Sequence, residues 1–199
     1  MKKAAWLFGC CLAAPLSAQS FELGLFAGRQ SYRSFTATPA PGTTFTGDLD
    51  AKTVVGARFG YALVDLGPAL FQLTAGYQPE ASTAATVAVT GIGSGQTDIK
   101  ESHWSLGAMF HFKALVAIGA GVEYRSESLK GLETSTTYGR PWVRFNVGYA
   151  FPAPLLKPFI GLEADFPLTS QSNDYSSAAE VLKSVAPRNQ VGLYGGIRF

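Results

Sequence analysis

The sequence predicts an all-β fold, an eight-stranded antiparallel up-and-down transmembrane β-barrel preceded by a cleavable signal peptide. Three observations carry the prediction. Apolar residues recur at every second position in eight segments, the connections between those segments alternate between short and long, and the chain opens with the pattern of an export signal. Composition points the same way. Of 199 residues 47% are hydrophobic and 15% charged, with 22 Gly and 13% aromatics, yet no apolar run reaches the roughly 20 residues of a membrane-spanning helix. A formal charge of +2 without a basic cluster leaves no electrostatic footprint for nucleic acid, and none is expected as a partner.

Lys2 and Lys3 precede an apolar stretch over residues 4–16, and Ser17-Ala18-Gln19 supplies small residues for cleavage. This order predicts a signal peptide over residues 1–18 and one barrel domain over residues 19–199. Cys10 and Cys11 both fall in the removed segment. The mature chain then has no disulfide, no thiolate nucleophile and no Cys-ligated metal. Losing Lys2 and Lys3 also leaves equal numbers of basic and acidic residues.

The first segment places Phe21, Leu23, Leu25 and Ala27 on one face and Glu22, Gly24, Gly28 and Gln30 on the other. The second opposes Val55, Ala57, Phe59, Tyr61 and Leu63 to Gly56, Arg58 and Gly60. The third opposes Phe71, Leu73, Ala75 and Tyr77 to Gln72, Thr74, Gly76 and Gln78. The fourth opposes Trp104, Leu106, Ala108, Phe110 and Phe112 to His103, Ser105, Gly107, Met109, His111 and Lys113. In the fifth, Ile118, Ala120, Val122 and Tyr124 face away from Gly119, Gly121, Glu123 and Arg125. The sixth sets Val143, Phe145, Val147, Tyr149 and Phe151 against Arg144, Asn146 and Gly148; the seventh sets Ile160, Leu162, Ala164, Phe166 and Leu168 against Gly161, Glu163 and Asp165. The last sets Val191, Leu193, Ile197 and Phe199 against Gln190, Gly192, Tyr194, Gly196 and Arg198. Such segments break the helical period and carry Gly where a helix would lose about 1 kcal/mol each.

Short connections follow the second, fourth and sixth segments, at residues 64–69, 113–114 and 152–157. Long polar ones follow the first, third, fifth and seventh, at residues 31–50, 79–100, 126–139 and 169–189. Membrane barrels alternate in this way, with short periplasmic turns and long external loops. A soluble lipocalin-like barrel shares the period-two pattern but would turn its apolar face inward around a ligand. The glycines separate the two. They fall on the charged face, where they weaken a water-facing strand for no return but make room for larger neighbours in a narrow lumen. The Gly-and-charge face is therefore read as the inside. Aromatics form two belts on the other face, Phe21, Tyr61, Phe71, Phe112, Phe151 and Phe199 at one rim and Tyr77, Trp104, Tyr124 and Phe166 at the other.

On these residues the chain resembles the small OmpA/OmpX-type eight-stranded outer-membrane barrels over its whole mature length. The ending Gly195-Gly196-Ile197-Arg198-Phe199 resembles the C-terminal assembly signal of that class, with Ile197 and Phe199 as its apolar residues and Tyr194 where the common signal has Gly. The resemblance implies a bacterial outer-membrane location, assembly through periplasmic chaperones and the outer-membrane insertion machinery, and contact with outer-membrane lipids and lipopolysaccharide. A monomer is expected.

The inward charges nearly cancel, Arg58, Lys113, Arg125, Arg144 and Arg198 against Glu22, Glu123, Glu163 and Asp165. Low dielectric makes isolated charges there too costly, so a paired network and a plugged lumen are expected. No enzyme, cofactor or metal site is expected. His103 and His111 lie eight residues apart, roughly 27 Å along a strand, too far to share a metal. His103 and Ser105 resemble the His-x-Ser of an outer-membrane lipid A deacylase, but the surrounding residues do not follow that enzyme's wider signature. Gly47-Asp48-Leu49-Asp50 is read as a solvated loop and not a Ca²⁺ site. Ser177 and Glu180 have capping-box spacing, and Ala178, Val181, Leu182 and Val185 share a helical face, which predicts a short helix covering the barrel mouth. Residues 79–100 can prolong two strands as a projecting hairpin. The expected function is envelope structure or surface interaction through the external loops; the alternative is minor transport of small apolar solutes, as a resemblance to OmpW-like barrels permits.

Overall fold

In a computed structural model of the chain, the described residues are 21–40, 43–131, 133–153, 155–169, 175 and 177–199. The predicted signal peptide lies outside them. The elements are β1 (Phe21–Ser31), β2 (Phe35–Ala40), β3 (Thr43–Leu49), β4 (Lys52–Asp65), β5 (Ala69–Val89), β6 (Gly93–Lys113), β7 (Ala117–Gly131), β8 (Thr134–Ala150), β9 (Lys157–Pro167), a helix α1 (Ala178–Ser184) and β10 (Asn189–Arg198). No helix among the described residues is long and apolar enough to cross a membrane, which leaves strands untouched as spanning elements.

Eight strands run in the order β5-β4-β1-β10-β9-β8-β7-β6, all neighbours antiparallel, and β6 pairs back onto β5 to close a ring. These eight contain the eight alternating segments of the sequence. β2 and β3 were not expected. They occupy the first long connection, where β3 joins the far part of β5 from Phe45↔Val89 to Leu49↔Ala85 and β2 lies outside β3. Pro39, Pro41 and Gly42 give that stretch a loop composition that hides its strands.

Two other long connections are strands as well. β5 and β6 continue to a tip at residues 90–92, where Gly91 and Gly93 take the positive φ of 81° and 128° that a tight turn requires. Likewise β7 and β8 pair as far as Gly131↔Thr134. The β5–β6 extension is the projecting hairpin that residues 79–100 were expected to form; the β7–β8 extension escaped the sequence reading because its polarity is reversed beyond Glu127, with Leu129 inward and Ser128 and Lys130 outward. In β5 the register breaks between Gln78 and Ala81, so buried positions pass from Gln72, Thr74 and Gln78 to Thr83 and Ala85.

Burial divides the molecule into two parts. Around the ring the large apolar residues of the outward face are exposed, among them Leu25 at 70%, Leu106 at 56% and Ile118 at 58%. Residues inside it are buried and mostly charged or polar, with a few apolar ones such as Phe26 and Met109 among them. Among the described residues the apolar core cluster lies beyond the ring, where Leu49, Ala85, Ile99 and Leu129 meet Leu182, Val185 and Ala186, with Tyr32, Phe35 and Tyr138 packed on them. α1 supplies Leu182, its N-cap Ser177 accepting a hydrogen bond from the Glu180 N–H at 3.3 Å. The predicted helix thus covers one mouth of the ring.

Candidate functional site

The interior of the ring is built from the inward positions of all eight strands, and the register stacks its groups in layers. At mid-height stand three cations, Arg58, Arg125 and Arg144, and three anions, Glu123, Glu163 and Asp165. Arg125 donates through Nε to Glu123 at 2.5 Å, through Nη1 to Gln190 at 2.6 Å and through Nη2 to Asp165 at 2.5 Å. Arg144 pairs with Glu123 and reaches Asp165 at 3.4 Å; Arg58 crosses the lumen to grip Glu163 with both terminal nitrogens, one bond at 2.7 Å. A void of about 20 Å³ beside Arg58, Arg144, His103 and Ser105 is room for about one water. Removing one partner of such a pair strands the other in low dielectric, so the three cations and three anions must stay matched.

The remaining charges of the sequence reading sit apart from this layer. Glu22 and Arg198 pair at 2.5 Å near one end, and Lys113 lies at the rim, bonded at 2.6 Å to Asp65 of the turn between β4 and β5. Gly67 at that turn has φ of 80° and donates its N–H to Asp65. Burial opposes ionisation of Asp65, but the Lys113 hydrogen bond and the Gly67 N–H hold the carboxyl below its ordinary range. Ile197 and Phe199 are outward, and Phe199 packs on Phe21 at 6.1 Å between ring centroids. Tyr194 points inward over Gly148 and Gly161: a Cβ on Gly161 would stand 2.3 Å from its ring. The glycines give that ring its space.

Above the charged layer lies a second network that the sequence reading missed. Trp142 is fully buried, its ring flanked by Arg125 at 4.0 Å and Arg140 at 4.7 Å, and its Nε1 donates to Glu127 at 2.8 Å. Arg140 also binds Glu127 and donates to the Pro187 carbonyl at 2.5 Å, tying the ring to the segment that follows α1. The Tyr138 hydroxyl donates to Glu127 at 2.8 Å, and burial beside that carboxylate raises its pKa far above the phenol range. Opposite, Gln78 bonds Glu101 at 2.7 Å, and His103 Nδ1 sits 2.9 Å from Glu101. Lys52 donates to Ala81 O at 2.7 Å, and burial lowers its pKa. One signal could have found this layer: Glu127, Arg140 and Glu101 keep the inward phase of Arg125, Arg144 and His103.

Glu101, His103 and Ser105 are consecutive inward residues of β6, so an acid does stand beside the histidine of His-x-Ser. Ser105 Oγ is packed toward Gly76, where a Cβ would approach it to 2.6 Å, and the adjoining void admits no substrate. Among the described residues no group of three or more His, Cys, Asp or Glu could hold a metal ion.

No protein-family model and no curated protein matches this sequence. Among solved structures, the chain is similar to the outer membrane protein OprG from Pseudomonas aeruginosa, with 12% identity over 91% of this chain and 94% of that one and a TM-score of 0.54. The fold is that of a small outer-membrane β-barrel protein. Ail, the attachment invasion locus protein of Yersinia pestis, crystallised with the heparin analogue sucrose octasulfate, aligns at 11% identity over 90% of this chain and 98% of that one, with a TM-score of 0.43.

Proposed function

We propose that the chain is an integral outer-membrane β-barrel, without enzymatic activity, whose lumen is closed and whose external extension serves envelope structure or surface interaction. The observation that carries this reading is the inverted polarity of the ring: large apolar side chains exposed all round a wall, with balanced charges buried inside it. A lipocalin-like ligand barrel requires the reverse. Such a wall is favourable only against hydrocarbon, and the aromatic belts at its two rims, with Phe21 packed 5.3 Å from Tyr61 at one of them, suit the lipid interfaces. The charged layer and the α1 cap argue against a pore, and the one-water void beside Ser105 argues against catalysis. In this reading residues 1–18 direct export, Ile197 and Phe199 are read by the insertion machinery after chaperones deliver the chain, and lipopolysaccharide surrounds the monomer.

Two measurements test it. The folded protein is expected to migrate differently from its boiled form in a detergent gel, and identical migration would remove the barrel. In a planar bilayer it is expected to pass no large stable current; a steady porin-like conductance would overturn the closed lumen.

One observation favours a second reading, sideways passage of a small apolar solute. Ala57, Arg58, Gly76 and Tyr77 border both the small inner void and a shallow apolar groove of about 620 Å³ on the outer wall, and the β5 register breaks one residue beyond Gln78. Deleting residues 86–96 separates the readings: loss of surface binding with unchanged permeability favours the first.

A further inference from the structure

At the outer end of the ring the cations divide into two sets. Lys100 and Lys130 face one another across β6 and β7 but share Glu80, at 3.4 and 2.7 Å; Lys52 lies 3.7 Å from Glu101, Lys183 2.7 Å from Glu180 and Arg140 2.9 Å from Glu127. Arg29, Arg33 and Arg188 have no carboxylate partner among the described residues, and all three are exposed. The backbone brings them to one seam. β1 and β10 pair as far as Ser31↔Asn189, and the Arg188 N–H donates to Ser31 O at 2.8 Å, which brings Arg188 beside the strand end that Arg29 and Arg33 flank.

Depth distinguishes this seam from an ordinary solvated patch. Arg29 belongs to the outward face of Leu23 and Leu25, eight residues beyond Phe21. That is about 27 Å along the strand, or about 21 Å of height for a strand tilted by about 40°, against an apolar band about 25 Å tall. The guanidinium therefore leaves the lipid wall at the level where headgroups begin. Just beyond it, Arg33, Ser34, Phe35, Thr36, Tyr175 and Ser184 line a cavity of about 400 Å³, with the Phe35 and Tyr175 rings stacked at 5.6 Å and 21°. Guanidinium forks take phosphate oxygens bidentately, and hydroxyls and aromatic faces take sugar rings.

We propose that this seam binds the phosphorylated sugar headgroup of lipopolysaccharide in the surrounding leaflet, Arg29 and Arg188 meeting phosphate and Arg33 holding the adjoining sugar phosphate at the cavity mouth. The inference rests on the membrane reading above and gives it a specific lipid contact. A soluble anion would have no need of a cation on the lipid wall.

The test uses the mature protein folded in phospholipid nanodiscs and titrated with lipopolysaccharide at physiological salt. The variant Arg29→Gln/Arg33→Gln/Arg188→Gln is expected to bind about tenfold more weakly and with a flatter salt dependence. Lys100→Gln/Lys130→Gln, which removes nearly as much positive charge elsewhere, is expected to stay within about twofold of the parent. Lipopolysaccharide stripped of phosphate is expected to bind the parent as weakly as intact lipid binds the triple variant. Parent-like binding by the triple variant, or equal binding of stripped and intact lipid, overturns the site. Folding is checked by the shift between boiled and unboiled protein; should the triple variant lose that shift, the exposed single change Arg33→Gln carries the test, with an expected loss of about threefold. A parent protein that never enters nanodiscs refutes the membrane reading itself, a failure distinguishable from loss of the lipid site.

Discussion

The lower and upper halves of the same strands solve opposite problems. Along β7, Ile118, Val122 and Tyr124 are exposed while Glu123 and Arg125 are buried; a few residues later Leu129 is fully buried while Lys130 is exposed. β6 repeats the change, from outward Leu106 and Phe110 to inward Ile99. The backbone ladder runs through the junction without interruption, from Lys113↔Ala117 to Lys100↔Lys130. The sign of the alternation is therefore set by the medium outside the wall and not by the strand. Where hydrocarbon surrounds the ring, the interior must be held by ion pairs and hydrogen bonds; where water surrounds it, an ordinary apolar core under α1 takes over.

This contrast yields its largest expected effect in the charged layer. Glu123→Ala removes the partner that Arg125 and Arg144 share and leaves both guanidinium groups buried. A loss of about 3–5 kcal/mol is expected, read as a lowered urea midpoint of the folded protein in detergent. In the cap, Leu129→Ala opens a hole among Leu182, Val185 and Ile99 and is expected to cost about 2–5 kcal/mol. Its signature differs, since faster amide exchange should be confined to residues 178–188 and the outer strand ends. Equal acceleration around Arg144 would mean that the two halves unfold as one unit.

A sharper comparison places one substitution on both sides of the junction. Val122 and Ser128 are outward residues of β7, six positions apart. Val122→Arg puts a charge in the lipid wall and is expected to weaken insertion into vesicles by about 2–4 kcal/mol, while Ser128→Arg lies beyond the wall and is expected to cost about 0–1 kcal/mol. Similar losses for both would erase the junction.

The same physics explains what could be read from the sequence. Ring strands were legible because lipid outside and charge inside write a strong period of two, as in Val143 to Phe151 against Arg144 and Asn146. The upper halves of β7 and β8 kept that period but reversed its sign, so Ser128, Leu129 and Lys130 resembled a polar loop. β2 and β3 stayed hidden behind Pro39 and Gly42. For the interior, nine charged residues were named, and the structure distributes them over a central layer and two rim pairs. Trp142 keeps the inward phase of Arg140 and Arg144 but was overlooked because an aromatic between Pro141 and Val143 resembles one more lipid-facing side chain. Its partners Arg125 and Glu127 on β7 and Arg140 on β8 define its place.

The smallest effect tests whether the outer extension is plain solvent-facing surface. Lys130 donates to Glu80 at 2.7 Å, and that hydrogen bond, reinforced by Lys100, holds the Glu80 carboxyl below its ordinary range. Glu80 belongs to the register break of β5, and both lysines stand on the outward face above Trp104 and Tyr124. In Lys130→Gln the Glu80 carboxyl is expected to titrate closer to an unperturbed glutamate, a shift that NMR of the side chain can follow. The urea midpoint should not move, because exposed pairs contribute little once water screens them. Were the midpoint to fall with the titration shift, Glu80 would be anchoring the bulge, and the phase change that turns Thr83 and Ala85 inward would depend on an ion pair instead of the apolar core it feeds.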